Sequence, residues 1–194
     1  MDVVELMKWN RTYRRFKSEP VPHEVIVRAI DSARTANSAA NAQVLRYTAV
    51  ESPDMVERLQ PLVKWAASLP PELGTPKPSE QPRAFVVVSQ VLRDGEPTPF
   101  ADVDLGIAAH ALTMTAAAAG VGSCMMGAFS RASVERLVGL PAGERARLVI
   151  ALGYPDHASA IEDAPAGADL AYYLDDRHDY HVPKRTLGEV ARFL

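Results

Sequence analysis

Apolar residues recur along this chain with two periods, and the changes of period mark out its elements. Val3, Val4, Leu6 and Met7 give an apolar side to a first helix. Asp2 opens it, its carboxylate placed to accept from the amide of Glu5 while Glu5 reaches back, a capping-box pairing. A second start reads at Val21-Pro22-His23-Glu24, with proline in the first turn and Val25, Ala29, Ile30 and Ala33 following at helical spacing. Arg46 to Val50 has strand character. Pro53 starts a third helix through Val56 and Leu59, which Pro61 breaks or restarts before Leu62, Trp65 and Ala66. Ala84 to Ser89 is apolar on both faces and therefore reads as a central strand. Asp102 to Gly120 predicts the longest helix, with almost no polar face, so it must be buried in a core or at a subunit interface. Gly120 to Gly127 holds a short strand entered and left by glycines. Ser133 to Leu140 is a helix stopped by Pro141, and Arg147 to Gly153 is a last core strand ended by Gly153-Tyr154-Pro155.

The segments between these elements are polar or proline-rich. Leu69 to Pro82 carries five prolines and a glycine and reads as a surface excursion; Val91 to Phe100 reads as a loop of the kind that forms lids. His157 to Tyr180 is acidic and weakly periodic, the mark of an arm or lid. At 194 residues and 47% hydrophobic content, the chain suits one sizeable core. A single domain over 1–194 is expected, with excursions at 69–82 and 157–180. Its formal net charge of -3 offers no global attraction for nucleic acid or an anionic membrane, so any anion must be held locally. Glu5 and Trp9 fall where a signal core would be, and the apolar run from Leu105 to Val121 is interrupted by Gly106, His110 and Gly120, as a buried helix is and a membrane span is not. Cys124 is the only cysteine, which excludes an internal disulfide and fits a cytoplasmic setting.

Candidate chemistry concentrates in two places. Asn10-Arg11-Thr12-Tyr13-Arg14-Arg15-Phe16 sets three arginines and a hydroxyl just after the first helix. Guanidinium forks stay charged at any working pH and suit a phosphate, although such a cluster also serves as a solvated helix end. Ser38-Ala39-Ala40-Asn41-Ala42-Gln43 is small and polar. It reads either as a turn or as a loop that lets a flat ligand approach the backbone and meet the mixed donors and acceptors of Asn41 and Gln43. The basic tail Lys184-Arg185 would supply a second cationic site. Metal ligation by His178 and His181 with Asp175 and Asp176 is less favoured than a solvated loop, and Cys124, in an apolar strand, reads as a packed thiol. The chain has no phosphate-binding Gly-x-x-x-x-Gly-Lys motif, and Gly120-Val121-Gly122 lacks the third glycine of a dinucleotide fingerprint. A phosphate grip and a ring-edge loop without an acid, base or nucleophile suit a bound cofactor that performs the chemistry itself.

Along nearly its whole length the chain resembles the nitroreductase family of flavoproteins. Asn10 to Phe16 resembles the family's Arg/His-Arg-Ser-x-Arg-x-Phe opening, with Glu19-Pro20-Val21 following. Ser38 to Gln43, with Arg46 before a strand, is similar to its Pro-Ser-x-x-Asn-x-Gln-Pro segment. Asp104 to Gly127 looks like its long buried helix, glycine-rich turn and short strand. Val138-Gly139-Leu140-Pro141 and Gly153-Tyr154-Pro155 look like its turns, and Lys184-Arg185-Thr186-Leu187 its basic finish.

That resemblance implies an α+β fold with a mostly antiparallel central sheet flanked by helices, a long buried helix at the interface of a homodimer, and FMN at that interface. It implies NADH or NADPH as hydride donor and a nitroaromatic, quinone or similar small molecule as acceptor, in a ping-pong sequence. Dehalogenation, enal reduction, flavin breakdown and flavin storage are the alternatives it allows. Carried over by position, Asn10, Arg11, Thr12 and Arg14 would meet FMN, with Lys184 or Arg185 near its phosphate. Ser38, Ala39, Asn41 and Gln43 would come from the partner, and Met126 with Gly127 would bring a backbone amide to the reactive edge. Asn10 departs from the family's arginine or histidine, Asn37 from its proline, and Val44 from the proline that often follows Gln43.

Overall fold

The computed structural model describes residues 2–66 and 69–194. The chain forms two compact units, Met1–Pro155 and Asp156–Leu194. In the larger unit the order is α1 Val3–Trp9, α2 His23–Thr35, β1 Leu45–Val50, α3 Pro53–Leu59, α4 Pro71–Gly74, β2 Ala84–Val91, α5 Ala101–Ala118, β3 Gly122–Met126, α6 Arg131–Val138 and β4 Glu144–Gly153. The four strands lie in the order β1-β2-β4-β3, and each neighbouring pair is antiparallel. Val86 stands opposite Ile150 and Cys124 opposite Ala151.

Alternation along β2 divides the core into two layers, because successive strand residues point to opposite faces. Phe85 and Val87 pack with Tyr13, Phe16, Leu59, Trp65 and Val134 on one side of the sheet. Val86 and Val88 pack with Ile26 and Ala29 of α2 and Ala108, Leu112 and Ala116 of α5 on the other. Burial on both faces is what the unbroken apolar run of β2 requires. The α+β fold with a mostly antiparallel sheet, expected from the sequence, is the fold of this unit.

Helix α5 is buried along one stripe against α2 and the sheet, and Ser32 of α2 ties the two helices by donating to the carbonyl of Ala111 (3.1 Å) and accepting from Thr115 (2.8 Å). Its opposite side keeps Val103 and Ile107 at 56% and 40% exposure. A single chain therefore covers only half of a helix whose sequence is apolar nearly all round. Among the described residues no helix is long and apolar enough to cross a membrane.

One local expectation is corrected. Asp2 caps α1 through Val4, whose amide donates to its carboxylate at 2.8 Å, and the Glu5 side chain turns outward to Lys8 at 2.8 Å, so no capping box forms. A lysine three residues on competes for the carboxylate that would have reached back. The stretch 157–180, expected as an arm or lid, contributes two strands to a small sheet. In the smaller unit β5 Ser159–Ala164, β6 Tyr173–Leu174 and β7 Tyr180–Arg185 order as β5-β7-β6, followed by α7 Leu187–Val190. Tyr180 is fully buried against the rings of Tyr172 and His157, an aromatic nucleus that weak periodicity does not reveal.

Candidate functional site

The arginine-bearing loop is held in place by its aromatic residues. α1 ends at Asn10, and the next residues run beside β3, with Thr12 bridging Ser123 and the amide of Tyr13 donating to the Ser123 carbonyl at 2.8 Å. The amides of Phe16 and Lys17 then donate to the carbonyls of Glu80 and Tyr154, both at 2.8 Å. Tyr13 and Phe16 are buried, and each lies over a glycine. A Cβ at Gly122 would come within 2.7 Å of the Tyr13 ring, and one at Gly153 within 2.7 Å of the Phe16 ring. Gly122 and Gly153 face each other across β3 and β4, so the pair forms one floor for both rings. With the aromatics pinned, Arg14 and Arg15 emerge half-buried between them, and Arg11 half-buried just before Tyr13.

Of these side chains Arg11 is the most telling. Its guanidinium donates one bond to the Met7 carbonyl, and its Nε is buried with no hydrogen-bond partner among the described residues. Burial pushes its pKa down from the usual guanidinium range. A cation that has lost water without gaining an anion is costly, and an incoming phosphate or carboxylate would offset that cost. The residues present therefore fit an anionic group. Asn10 donates its side-chain amide to Thr113 of α5 at 3.2 Å, so that donor is already engaged in fixing the loop to α5. Thr12 is exposed beside the arginines.

The second predicted segment, Ser38 to Gln43, is a loop organised by a carboxylate. Asp104, buried in the first turn of α5, accepts from the Ser38 hydroxyl at 2.8 Å and from the Ala39 amide at 2.9 Å. Ser38 in turn accepts from the Gln43 amide at 3.1 Å, and Gln43 donates its side-chain amide to Asn41 at 3.0 Å. Ala40, Asn41 and Gln43 all have positive φ, at 50°, 53° and 46°. Three left-handed residues without a glycine store strain, which the Asp104 and Ser38 bonds hold in place. Beside this loop lies a cavity of about 470 Å3, with Arg34, Arg46, Tyr47 and Asp104 in its wall and none of Arg11, Arg14 or Arg15. Within one chain the arginine loop therefore takes no part in lining this cavity.

Met126 ends β3 with its side chain in the core, and Gly127 follows with open space where a Cβ would stand. The Thr12 bridge to Ser123 brings the arginine loop onto the strand that leads to Gly127. Lys184 and Arg185 are exposed at the end of β7 in the smaller unit, Lys184 opposite Asp163 in register and Arg185 donating to Glu189 at 3.3 Å. Cys124 is buried and its thiol is pushed up to about 11 by burial, which makes it a packing group and a poor nucleophile. Sequence reasoning missed Asp104 and the Gly122–Gly153 floor. The only signal for Asp104 is a carboxylate placed in the first turn of a helix that is otherwise apolar.

The family model described as nitroreductase family matches residues 7–154. A protein of Methanothermobacter thermautotrophicus that carries the name "Putative NADH dehydrogenase/NAD(P)H nitroreductase" is 25% identical over 167 residues, 84% of this chain and 82% of that protein. Among solved structures, an FMN-dependent nitroreductase of Clostridium difficile R20291 is similar in fold, with a TM-score of 0.66 at 17% identity over 81% of this chain and 90% of that one. An oxidized iodotyrosine deiodinase bound to FMN and 3-iodo-L-tyrosine is similar at a TM-score of 0.66 and 23% identity, covering 90% of this chain and all of that one.

Proposed function

Because this chain belongs to the nitroreductase family, we propose that it is an FMN-dependent oxidoreductase that takes hydride from NADH or NADPH and reduces a small-molecule acceptor. Bound FMN would supply the two-electron chemistry, passing hydride from the nicotinamide to a nitroaromatic, quinone or similar acceptor in a ping-pong sequence. The observation that carries this reading is Arg11, a half-buried cation whose Nε has no hydrogen-bond partner among the described residues, on a loop fixed to β3.

On this reading the chain's own residues bind and orient. Arg11 and Thr12 take the anionic part of the cofactor, and Arg14 favours negative charge at the pyrimidine edge. Ser38, Ala39, Asn41 and Gln43 belong to the other half-site, whose strained loop is already shaped by Asp104. The arginines do not line the cavity beside that loop, which supports reading the site as one completed in a homodimer, with one half from each protomer. The uncovered side of α5, with Val103 and Ile107, and the exposed Val3, Val4 and Met7 of α1 supply apolar surface for that interface. Met126 with Gly127 presents backbone to the reactive edge.

A second reading, reductive dehalogenation, is favoured by rat iodotyrosine deiodinase 1, which is 37% identical over 60 residues, 31% of this chain and 21% of that protein. Anaerobic stopped-flow with each nicotinamide, followed by nitroaromatic, quinone and 3-iodo-L-tyrosine acceptors, separates the readings. Bleaching by NADH or NADPH followed by reoxidation on a nitroaromatic or quinone is expected. Turnover on the iodinated substrate alone would favour dehalogenation; bound FMN that no nicotinamide bleaches would favour storage. A folded protein that retains no FMN would overturn the proposal.

A further inference from the structure

In the smaller unit all three strands bear on the ring of His181. On the central strand β7, its Nδ1 lies 2.5 Å from Oε1 of Glu162 on β5, and its Nε2 lies 3.4 Å from Oδ2 of Asp175, which follows β6. Tyr173 of β6 stacks on the imidazole, with ring centroids 4.8 Å apart and planes 9° from parallel, and its hydroxyl donates to the other oxygen of Glu162 at 2.9 Å. Glu162 and Asp175 are the charged groups that act on the ring, and Arg177 approaches Asp175 at 3.8 Å and Asp179 at 4.0 Å.

Two carboxylates on two ring nitrogens fix the state of the ring. A neutral imidazole donates from one nitrogen and carries a lone pair on the other, whereas imidazolium donates from both. Only the cation can therefore satisfy both ionised carboxylates together, and a cation is also what the face of the Tyr173 ring attracts. Neutral His181 would keep its proton at the short contact with Glu162 and turn a lone pair toward the Asp175 carboxylate.

Strand β6 depends on these contacts. It has two residues, paired in register as Tyr173 with His181 and Leu174 with Tyr180, fewer than strands usually have. The turn after it is folded around Asp175, whose Oδ1 accepts from the amides of Arg177 and Asp179, both at 2.9 Å. That turn holds its own shape, and the Oδ2 contact fastens it to β7.

We propose that His181 is a charge-operated latch: as imidazolium it holds β6 and the turn 175–179 against β7, and on losing its proton it releases them. The bond to Glu162 raises the His181 pKa above the usual imidazole value, so release falls on the alkaline side of that value. Tyr172, the residue before β6, rests on buried Tyr180, so release also loosens the cover of that ring. The proposal concerns the smaller unit alone and is independent of the flavin assignment.

Nitrogen-15 NMR of the full chain tests the latch. The chain has five histidines, and the signals missing from His181→Gln identify His181. At about pH 6 both of its nitrogens should carry protons, and at about pH 9 only Nδ1. Amide protection factors at 173–179, taken relative to the intrinsic exchange rate at each pH, should fall about tenfold over the same titration, with those of β2 unchanged. His181→Gln, neutral at every pH, should show the lower protection throughout. Asp175→Asn keeps the oxygen that shapes the turn and offers an N–H to the lone pair of neutral His181, so it should abolish the fall. A neutral ring at the lower pH, equal wild-type protection at both pH values, a fall that persists in either variant, or an equal fall in β2 would each overturn the latch.

Discussion

Replacing Gly153 by alanine tests how the arginine loop is held. The added methyl would stand 2.7 Å from Cδ1 and 2.9 Å from Cβ and Cγ of Phe16, where ordinary contact begins at 3.4 Å, so the ring must move by at least 3.4 − 2.7 = 0.7 Å. Phe16 is fully buried, and its amide is tied to Glu80, so it has little room to retreat. Overpacking of a filled core costs about 1–3 kcal/mol. Gly153 lies in extended backbone, so alanine brings no strain of its own and regains about 0.4–1 kcal/mol through the unfolded chain. The net loss should be about 1–2 kcal/mol, or about 2–8 °C in melting temperature for a chain of this size.

Urea unfolding of Gly153→Ala, Phe16→Leu and the double variant measures the cause as well as the size. Leucine keeps Cβ and Cγ but replaces the flat ring edge at Cδ1 with methyls that can turn away, so if the methyl acts through the ring edge, leucine relieves that closest contact. The double variant should then be more stable than the sum of the single losses by at least about 0.5 kcal/mol. Additivity within about 0.3 kcal/mol would refute the contact as the reason for glycine. Because Phe16 anchors the loop that carries Arg11 and Arg14, the same single variant should also retain FMN less well, and recover part of that in the double.

Arg11→Ala should weaken FMN retention by about 1–3 kcal/mol, read by equilibrium dialysis, with an unchanged unfolding midpoint; undiminished retention would remove Arg11 from the site. Asp104→Leu leaves the Ser38 hydroxyl and the Ala39 amide without their acceptor and should cost about 2–4 kcal/mol in urea unfolding, with faster amide exchange across 38–43. In the smaller unit His181 lies between Glu162 (2.5 Å) and Asp175 (3.4 Å) and stacks on Tyr173. The bond to Glu162 raises the His181 pKa above 6.5, that to His181 lowers the Glu162 pKa below 4.5, and backbone bonding from Asp179 lowers Asp175 below 3.8. The histidine's contribution is complete below pH 6.5 and is lost as pH rises through its raised pKa. The carboxylates' contribution is complete above pH 4.5 and is lost as pH falls through their depressed values. Amide protection factors in β7, taken relative to the intrinsic exchange rate at each pH, should therefore be highest between pH 4.5 and 6.5 and fall on either side, and His181→Gln should remove the fall on the alkaline side. Native protein should react with no thiol reagent at pH 8 on a minutes scale, and with one equivalent per chain in urea, since burial holds the Cys124 pKa near 11.

The fold was largely legible because its elements carry their own periods. The unbroken apolar run of β2 announces burial on both faces, and Pro61 marks the end of α3 where a short turn of tighter helix follows. The acidic stretch 157–180 was legible only as polar. Its order comes from Tyr172 meeting Tyr180 and Tyr173 meeting His181 across a turn, contacts that no local period encodes. The same limit applies to α1, whose Val3, Val4 and Met7 have the pattern of a core-facing helix yet remain exposed in a single chain.

For the candidate site, residue type was readable and support was not. Arginines beside a hydroxyl, and small polar residues before a strand, are visible as chemistry in the sequence itself. What turns them into shaped surfaces lies far along the chain: Gly153 under Phe16, Ser123 beside Thr12, and Asp104 behind Ser38, 66 residues away. Positive φ at Ala40, Asn41 and Gln43 follows the same logic, since none is a glycine and the Asp104 and Ser38 bonds help to hold that backbone. Asp104 therefore links two properties that looked unrelated in the sequence. It begins the helix whose apolar side is left uncovered, and it shapes the loop whose cavity the arginines do not line. Assembly of two chains through α5 would act on that loop directly, so loss of the Asp104 contacts should disturb cofactor retention and dimerisation together, whereas loss of Arg11 should disturb retention alone.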